Sequence, residues 1–561
     1  MLTLGIADNH DAGAALANEQ GLIAAVGQER IDRIKNSGAF PWGAIDAVLD
    51  IADVREADIE RIVVGSSFTP SFLLRLLPGF HKSKKEGSSQ FSPSLNGYIV
   101  YQSILQKAGL AGAEVAACRA VLRHRLKARH FAEAELILMD HHTAHAESAY
   151  RTQGQDRVLV FTLDAMGDGT SVTVSQGGGG SLERVFSQSG FAGINTYYSR
   201  VTEWLGYTPN RHEGKITGLA AAAPPPPALV EHFSKILHVK DMGFNRLPYW
   251  KNQSKDDSFY RELNNFSSAE VAAALQKNLE NAVTAFIDGW VKRLGVRNIA
   301  VAGGIFANVK LNQRIAELES VQSLWVTPHM GDGGLPTGAA LFGAKAPPAN
   351  TKTRLLGHSY SSSDIARAIG RAKLSKTQPR NIEKTIAKYL AKGKVVAHFD
   401  GKMEWGPRAL GARSVMFRPD DPSVNDWLNK RLGRTEFMPF APMVLAEDAP
   451  DLFIGLEKAA ESAKFMTVCF DCTDKMKDLC PGVVHTDGTA RPQIIHESEN
   501  PRIHKIISEF KALTGLPAIV NTSFNIHEEP IVCSPSDATR AFCHGKLDIL
   551  AIGDWIVSAK D

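Results

Sequence analysis

Apolar and polar positions follow the same order twice along the chain. Residues 2–7 are apolar, the turn DNHDAG follows, and apolar residues resume in AALANEQGLIAAV. Residues 158–163 are again apolar, and the acidic, glycine-containing turn DAMGDG leads into the segment TSVTVSQ. Short apolar segments bounded by such turns predict β-strands. Asp8 and Asp164 hold matching positions, each at the end of the first strand of its set.

This repeated order is typical of the duplicated actin-like and sugar-kinase architecture, in which two βββαβα halves face each other across a nucleotide cleft. The sequence therefore predicts an α/β fold that begins with a duplicated actin-like (ASKHA) domain. A chance resemblance between two strand-rich segments is the alternative, and the repeat by itself does not decide between the two interpretations.

The chain of 561 residues is too long for a single hydrophobic core, because single cores stop growing near ~250–300 residues. Proline and polar residues follow a helix-like apolar segment at KAPPANTKT, residues 345–353. We therefore predict two domains, residues 1–347 and 348–561. Apolar segments such as KVVAHFD and PAIVNTSF predict strands in the second domain as well.

Composition and charge narrow the possible partners. The net charge of +3 gives no electrostatic reason to expect a nucleic-acid partner. No apolar run approaches the ~18 residues of a membrane span, and the N-terminus lacks the basic segment of a signal peptide. Six cysteines in so long a chain do not form a disulfide scaffold. We expect a cytoplasmic protein that binds neither nucleic acid nor a membrane.

The segment ILMDHHTAHAESAYR predicts a metal site in the first domain. His141 and His145 are four residues apart, so a helix presents both imidazoles on one face. Asp332 lies in the glycine-rich turn of TPHMGDGGLPTGAA, where its carboxylate offers a third ligand. Two histidines and one carboxylate are typical of a catalytic iron or other divalent site. Ordinary core or surface histidines are the alternative.

Other residues of the first domain are candidates for nucleotide binding. Paired glycines between a strand and a helix bring the backbone close to a ligand, although tight strand–helix packing explains them equally well. A lysine before a glycine suits a phosphate, although surface lysines are common. Turns with two aspartates present amides to phosphates or hold a metal-bound water. These candidates are Gly303, Gly304 and Asn308 in AGGIFANVKLN, Lys215 in HEGKITGLAA, and Asp164 in TLDAMGDGT.

The first turn of the chain suggests a general base. His10 lies between Asp8 and Asp11, and a carboxylate beside an imidazole fixes the tautomer that accepts a hydroxyl proton. A capped tight turn is the alternative.

In the second domain, arginines and small polar residues follow glycine-rich loops and one strand. Arginine forks suit phosphate or a carbamoyl oxygen, so several such loops together predict a polyanion site for ATP and a second phosphorylated substrate. Isolated loop arginines usually form surface salt bridges, which is the alternative for each residue alone. The candidates are Arg408, Arg413, Arg491, Ser523 and Asn525.

Two further features of the sequence, a CxxC pair and a long insertion, give weaker indications of function. Cys469 and Cys472 form a CxxC pair with Cys480 and His485 downstream, but one CxxC without a partner pair rarely binds zinc. The segment 68–94 is rich in Pro, Ser and Lys and is interpreted as a long surface insertion. Its lysines Lys82, Lys84 and Lys85 are interpreted as solvated charges, with an acceptor-binding lid as the alternative.

Five motifs in series identify a family resemblance that covers nearly the whole chain. DHHTAHAESAY, AGGIFANVKLN, GKMEWGPRALGARS, HTDGTARPQ and NTSFNIHEEPIV resemble the O-carbamoyltransferases of the nodulation-factor, cephamycin and tobramycin type. In that family the first domain is similar to the actin-like threonylcarbamoyl-tRNA transferase. The second is similar to the YrdC type, which makes carbamoyl-adenylates.

The resemblance implies an ATP-dependent O-carbamoyltransferase. The second domain would form carbamoyl-adenylate from carbamoyl phosphate and ATP, with Mg²⁺ accompanying the ATP, and the first would transfer the carbamoyl group to a hydroxyl of a small molecule or glycan. By the same resemblance, Fe²⁺ would be held by His141, His145 and Asp332. Asp8 and His10 would activate the acceptor, Gly303, Gly304 and Asn308 would hold the adenosine, and Arg491, Ser523 and Asn525 would hold carbamoyl phosphate and ATP.

One departure from the family pattern concerns a lysine shortly before the PFAP segment. Leu432 stands where the family often has lysine, while Arg434 is kept, and Lys430 or Arg431 is the candidate replacement. An actin-like sugar kinase or ATPase, and a non-catalytic tRNA- or protein-binding relative, are the competing functions. The sequence leaves open the acceptor, the metal and whether the chain forms a homodimer.

Overall fold

We describe the protein from a computed structural model. It describes residues 1–77, 89–91, 93–131, 133–246, 254–255, 257–351, 354–433, 439–526 and 528–558. Lys82, Lys84 and Lys85 therefore lie outside the described residues. We use "N-terminal part" for residues 1–347 and "C-terminal part" for residues 348–561; the domain boundary between them stays a prediction.

The N-terminal part begins with a five-stranded sheet. Its central strand pairs antiparallel with the second strand and parallel with the fourth, and the order is β3-β2-β1-β4-β5. The predicted strand at residues 2–7 is confirmed as the first of them. The strands are β1 (Thr3–Ala7), β2 (Gly13–Asn18), β3 (Gly21–Gly27), β4 (Arg61–Val64) and β5 (Glu135–Leu138).

A second sheet of the N-terminal part, of order β12-β11-β6-β7-β8, repeats the arrangement of the first when it is followed from β8 to β12. Its central strand β6 pairs antiparallel with β7 and parallel with β11. Strands β1 and β6 are the matching central strands, so Asp8 and Asp164 lie at equivalent ends of the two sheets. A separate hairpin pairs β9 with β10. These strands are β6 (Val158–Gly167), β7 (Thr170–Gly178), β8 (Ser181–Ser189), β9 (Leu237–Lys240), β10 (Gly243–Arg246), β11 (Asn298–Ala302) and β12 (Ser323–Val326).

Helices cover both sheets of the N-terminal part. The longest begins in a capping box, in which the Ser267 hydroxyl and the Glu270 carboxylate bind each other's backbone N–H. The helices are α1 (Gln28–Asp32), α2 (Trp42–Ala52), α3 (Phe72–Leu76), α4 (Pro93–Lys107), α5 (Ala111–Lys127), α6 (His141–Thr152), α7 (Ile194–Trp204), α8 (Glu213–Leu219), α9 (Pro227–Ser234), α10 (Ser258–Leu263), α11 (Ser268–Leu294), α12 (Val309–Ala316) and α13 (Leu335–Gly343).

The C-terminal part is a mixed α/β structure around an eight-stranded sheet of order β13-β23-β22-β14-β15-β21-β16-β20, with β17, β18 and β19 in a small separate sheet. Its strands are β13 (Lys376–Thr377), β14 (Val396–Phe399), β15 (Arg413–Phe417), β16 (Ala441–Leu445), β17 (Phe453–Ile454), β18 (Phe470–Cys472), β19 (Thr489–Ala490), β20 (Gln493–Ile495), β21 (Ala518–Ser523), β22 (Ile549–Ile552) and β23 (Trp555–Ser558). Its helices are α14 (Ser362–Arg371), α15 (Ile382–Ala391), α16 (Val424–Arg431), α17 (Ala449–Leu452), α18 (Ala460–Ala463), α19 (Asp474–Leu479), α20 (Pro501–Thr514) and α21 (Pro535–His544).

Backbone hydrogen bonds join the two parts. The amide of Leu324 in β12 donates to the carbonyl of Lys458 at 2.6 Å, and the amide of Cys469 donates to the carbonyl of Val309 in α12 at 3.1 Å. One buried apolar cluster contains residues of both parts. Among the described residues no helix has the length and apolar character of a membrane span.

Candidate active site

Four buried side chains of the N-terminal part converge on one point. His141 and His145 come from the first turns of α6, Asp164 from the end of β6, and Asp332 from the turn before α13. One ligand atom of each lies within 4.8 Å of the others. The Nε2 atoms of His141 and His145 lie 3.5 and 3.4 Å from Oδ1 of Asp332. The predicted trio of His141, His145 and Asp332 therefore meets, and Asp164 joins it as a fourth member.

The arrangement fits a divalent metal ion. His145 is 1% exposed, and neither of its ring nitrogens has a hydrogen-bond partner among the described residues. A buried polar atom without a partner is costly, and an ion between the four side chains would remove that cost for Nε2. Two imidazoles and two carboxylates are ligands that iron, zinc and manganese accept.

The electrostatics of the cluster also favour a cation. Burial acts to lower the pKa of His141, but the carboxylates of Asp332 and Asp164 outweigh it and raise that pKa to about 9. Burial acts to raise the pKa of Asp332, and the neighbouring histidines nevertheless hold it well below its usual range. Two carboxylates in a buried space thus create a negative potential that a bound cation would neutralise.

The backbone and neighbouring side chains orient His141. The Asp168 carboxylate accepts from the backbone N–H of His141 at 2.9 Å, and the Ser66 hydroxyl lies 2.8 Å from Nδ1. This leaves Nε2 directed at the cluster, as expected for a metal-binding histidine whose other nitrogen is occupied. Gly167 packs against the ring so closely that an added Cβ would lie 2.1 Å from it. These roles of Asp168, Ser66 and Gly167 were not predicted from the sequence.

His142 has a structural role. Its Nδ1 lies 2.6 Å from the Thr162 hydroxyl and its Nε2 3.0 Å from the Thr170 carbonyl. Both ring nitrogens are therefore engaged away from the His/Asp cluster.

Asp8 and His10 do not form the expected isolated pair. Both carboxylate oxygens of Asp8 accept from the buried guanidinium of Arg75, at 2.8 and 2.9 Å. His10 lies instead with its Nδ1 3.4 Å from Oδ2 of Asp332, and half of its side chain is exposed. The carboxylate that faces His10 is therefore Asp332, which corrects the assignment of Asp8.

Arg75 was missed because it lies in the segment interpreted as a surface insertion. It occupies α3, and its guanidinium also donates to the carbonyls of Ser66 and Ser67. Since Ser66 contacts His141, the Asp8–Arg75 pair supports the loop beside the His/Asp cluster. The sequence does not reveal this role of Arg75, because its partner Asp8 is 67 residues away.

The paired glycines Gly303 and Gly304 bring the backbone close to the end of β6. Gly303 has φ +108°, and an added Cβ would lie 2.1 Å from the Leu163 carbonyl. The amide of Gly304 donates to Oδ1 of Asp164 at 3.0 Å, which leaves Oδ2 for the metal cluster. Asp164, predicted among the nucleotide-binding residues, therefore lies in the cluster that could hold a metal ion.

Asn308 caps α12, since its Oδ1 accepts from the amide of Leu311 at 3.0 Å. Its Nδ2 donates to Oε1 of Gln276 at 2.7 Å. Gln276 in turn lines a cavity between the two parts, so Asn308 lies one contact away from that cavity. Its predicted role toward adenosine remains a prediction.

A cavity of about 340 Å³ lies between the two parts of the chain. Helices α8, α11 and α12 form one wall, and loops of the C-terminal part form the other. Lys310 and Asp487 form an ion pair across it at 2.6 Å. Lys215 is buried in α8, two residues before Thr217 in the wall. The polar lining includes Thr217, Gln276, Lys277, Glu280, Lys310, Arg314, Cys469, His485, Thr486 and Asp487.

The positive charges of two predicted arginines affect the pKa values of residues in the wall of this cavity. Burial and, to a smaller extent, the positive charge of Arg491 together lower the pKa of His485 to about 4. Burial raises the pKa of Cys469 to about 12, against the opposing charges of Lys310, Arg491 and Arg408. Arg408 and Arg491 are therefore close to residues that line the cavity, although neither is itself a lining residue, and their binding of a polyanion stays a prediction.

Two family models match the chain. The model described as "Carbamoyltransferase N-terminus" matches residues 2–341, more than half of the chain, and the one described as "Carbamoyltransferase C-terminus" matches residues 387–559. The chain belongs to the carbamoyltransferase family. The family resemblance of the five motifs is thereby confirmed, and the protein is an enzyme of carbamoyl transfer.

Similar proteins extend over most of this carbamoyltransferase. An uncharacterised protein of Methanocaldococcus jannaschii is 33% identical over 475 residues, which cover 76% of this chain and 74% of that protein. Nodulation protein NolNO of Sinorhizobium fredii is 28% identical over 571 residues, 98% of this chain and 79% of that protein. The solved structure of T. kodakarensis HypF aligns with 61% of this chain and 48% of that chain at 15% identity and a TM-score of 0.34, too low to support an argument.

Arg413 of the carbamoyltransferase has a different role from the predicted one. It is 0% exposed. Its Nη1 donates to the carbonyls of Asp400 and Ala412, and its Nη2 to those of His358 and Gly401. These four bonds hold a loop beside β15 and leave neither atom for a ligand. The assignment of Arg413 to phosphate binding is therefore corrected.

The remaining described candidates of the C-terminal part lie at the end of β21 and at the end of α16. The hydroxyl of Ser523, the last residue of β21, donates to Oδ1 of Asn525 at 2.6 Å. Nδ2 of Asn525 donates to the carbonyls of Ile526 and Glu529, which shapes the turn. Arg434 lies outside the described residues. Lys430 and Arg431 end α16, and Arg431 forms an ion pair with Asp548, so it is already engaged.

The cysteines of the CxxC segment do not form a metal site. Cys469, Cys472 and Cys480 are buried free thiols. Within the described part of the chain, the four-residue cluster of His141 is the one group of His, Cys, Asp and Glu side chains that could hold a metal.

Proposed function

We propose that this carbamoyltransferase is an ATP-dependent O-carbamoyltransferase with two chemically distinct sites. The C-terminal part, interpreted as YrdC-like, would hydrolyse carbamoyl phosphate to carbamate and phosphate. An oxygen of the carbamate would then displace pyrophosphate from the α-phosphate of ATP, which gives carbamoyl-adenylate. The N-terminal part, interpreted as a duplicated actin-like domain, would transfer the carbamoyl group to a hydroxyl and release AMP. The equal strand order of its two sheets supports that interpretation.

One observation carries the proposal. The same chain contains a buried His/Asp cluster suited to a cation and, between its two parts, a cavity bordered by lysine and arginine side chains. A cation site suits a carbonyl oxygen, while a basic cavity suits phosphates. A kinase would need the second feature alone and would leave the paired histidines unexplained.

The basic residues would bind the charged donor. Arg408 and Arg491 would neutralise phosphate oxygens, because guanidinium forks match them in geometry and charge. Lys310 lies at the cavity wall with Asp487, and the Gln276–Asn308 amide pair offers neutral donors and acceptors to a nucleoside. A volume of about 340 Å³ lies within the usual range of small-molecule sites.

His10 would remove the proton from the acceptor hydroxyl. It is half exposed, as a residue that meets an incoming acceptor must be, and Oδ2 of Asp332 lies 3.4 Å from its Nδ1. That contact orients the ring so that Nε2 can accept a proton. A divalent metal held by His141, His145, Asp164 and Asp332, which we propose to be Fe²⁺, would supply Lewis-acid polarisation of the carbamoyl oxygen.

The proposal is tested by product analysis. Purified protein with ATP, Mg²⁺ and carbamoyl phosphate should release pyrophosphate, and mass spectrometry should detect carbamoyl-AMP. Arg491→Ala should abolish pyrophosphate release. His145→Ala should keep it and lose bound metal, measured by inductively coupled plasma mass spectrometry, because the two residues belong to different sites. Release of ADP without pyrophosphate would establish a kinase or ATPase instead.

A matched control is available for the histidine variant. His124 is exposed in α5, away from the cluster, so His124→Ala should keep both the metal and pyrophosphate release. Equal loss of metal in both variants would mean that the ion binds elsewhere.

A further inference from the structure

Arg354 is a buried guanidinium that lacks a polar partner for its side chain among the described residues. The residue is 3% exposed, and its Nε and Nη2 atoms are fully buried without a hydrogen-bond partner. Its backbone is engaged, since its carbonyl accepts from the amide of Trp405 at 2.6 Å. Burial lowers the pKa of Arg354 to about 9, and no described carboxylate counteracts that effect.

Other buried arginines of this chain show how the fold satisfies such groups. Arg75 forms two hydrogen bonds with the carboxylate of Asp8. Arg413 donates to four backbone carbonyls. Arg354 has neither arrangement, although all three are at most 3% exposed. The difference points to a partner that is supplied from outside the chain.

Arg354 lies where the two parts of the chain meet. Its guanidinium carbon is 6.0 Å from the ring of Trp325 in the N-terminal part and 5.7 Å from the ring of Phe465 in the C-terminal part. Aromatic rings near the 6 Å limit of cation–π contact recover only part of the lost hydration of a buried cation. The two rings shield the guanidinium without neutralising it.

The surroundings of Arg354 lead to the metal-binding loop. Burial and, to a smaller extent, the positive charges of Arg30 and Arg354 together lower the pKa of His329 to about 3. His329 lies three residues before Asp332, and its ring contacts that of Trp405 at 4.7 Å between centroids. Arg354 thus places a positive charge next to the loop that ends at the metal cluster.

We propose that Arg354 binds the phosphoryl group of the carbamoyl donor at the junction of the two parts. The inference rests on the proposed function, because it requires a phosphorylated donor. A guanidinium stays charged and offers a planar fork of N–H donors, which matches phosphate oxygens. An anion there receives charge-assisted hydrogen bonds and removes the cost of an uncompensated buried charge.

The first test measures binding by calorimetry. AMP and inorganic phosphate serve as probes, because the phosphoryl group could belong to the nucleotide donor or to carbamoyl phosphate. Arg354→Met should weaken the binding of one probe about tenfold or more, since a hydrogen bond to a charged group is lost. A selective effect on AMP assigns the nucleotide donor, and a selective effect on phosphate assigns carbamoyl phosphate. Unchanged affinity for both probes would overturn the proposal.

The second test separates this role from a purely structural one. Without ligand, Arg354→Met should melt at or above the wild-type temperature, because a buried charge without a partner is removed. Arg413→Met, the matched variant of a satisfied buried arginine, should melt clearly lower. If Arg354→Met lowers the melting temperature as much as Arg413→Met does, the aromatic contacts are structural and the proposal is wrong. Arg354→Lys keeps the charge and should weaken probe binding less than Arg354→Met.

Failure of the proposed function is distinguishable from failure of this inference. Pyrophosphate release by the wild type with unaltered probe binding in Arg354→Met would overturn the role of Arg354 alone. Absence of pyrophosphate release with weakened probe binding in the variant would keep Arg354 as an anion-binding residue and overturn the carbamoyl-adenylate route.

Discussion

At the scale of single residues, hydrogen-bond partners decide which histidines could serve as metal ligands. His141, His142 and His145 lie within little more than one turn of α6. His142 has partners on both ring nitrogens, and His141 has a hydroxyl on Nδ1. His145 has no hydrogen-bond partner among the described residues, and its Nε2 faces the carboxylate of Asp332. Only His141 and His145 therefore offer Nε2 to an ion. The spacing of four residues identified this pair, while the partners that exclude His142 come from β6 and β7.

His485 gives a pH prediction at this scale. Its ring is 8% exposed and lines the cavity between the two parts, and burial, with Arg491, lowers its pKa from 6.5 to about 4. Between those values the unfolded chain binds a proton that the folded chain does not. The free energy of unfolding should therefore fall as the pH is lowered from 6.5 to 4, by up to about 3 kcal/mol from this residue.

The measurement compares urea unfolding of the wild type and His485→Gln at several pH values between 7 and 4.5. Glutamine does not titrate, so acidification should reduce the stability of the wild type more than that of the variant. Equal slopes for the two proteins would show that the imidazole is solvated in the folded state.

At the scale of elements, the metal cluster depends on the close packing of α6 and α13. Helix α6 carries both histidines, and α13 follows the turn that carries Asp332. Gly338 of α13 faces the Ala144 carbonyl of α6, and an added Cβ would lie 1.9 Å from that oxygen. Because the obstacle is backbone, a larger residue has to move one helix away from the other.

Gly338→Ala tests this arrangement without removing a ligand. The substitution should destabilise the fold by about 1–3 kcal/mol, the usual cost of overpacking, and should lower metal occupancy because His145 and Asp332 move apart. Thermal unfolding and metal analysis are the measurements. Gly112→Ala in α5 is the control, since an added Cβ there meets nothing within 4 Å, and it should keep the metal. Full metal occupancy in Gly338→Ala would contradict the role of this contact.

Sequence patterns located the elements better than the partners of their side chains. The i,i+4 spacing and the glycine-rich turn were sufficient for His141, His145 and Asp332, because local geometry determines where such side chains point. Asp164 was assigned to the nucleotide instead, since nothing local shows that the amide of Gly304, 140 residues away, occupies one of its oxygens. Arg413 was misassigned for the same reason: its carbonyl partners are defined by tertiary structure.

At the scale of the whole molecule, the two parts share hydrogen bonds and apolar packing. Asn312 of α12 is fully buried, and its Nδ2 donates to the carbonyls of Phe306 and Thr467 at 2.8 and 2.7 Å. The Lys310–Asp487 pair and the backbone contact of β12 with Lys458 lie in the same junction. Such contacts hold the proposed donor-forming and transfer sites at a constant separation.

This junction predicts that the two parts unfold together. Differential scanning calorimetry of the full chain should show one transition, because separation of the parts would expose a shared apolar core and leave buried amides without partners. Asn312→Ala should lower the transition temperature of the whole chain, and the exposed Asn281→Ala on α11 should leave it unchanged. Two resolved transitions, of which Asn312→Ala moves only one, would mean that the parts are independent, and a carbamoyl donor formed in one part would then cross open solvent to reach the other.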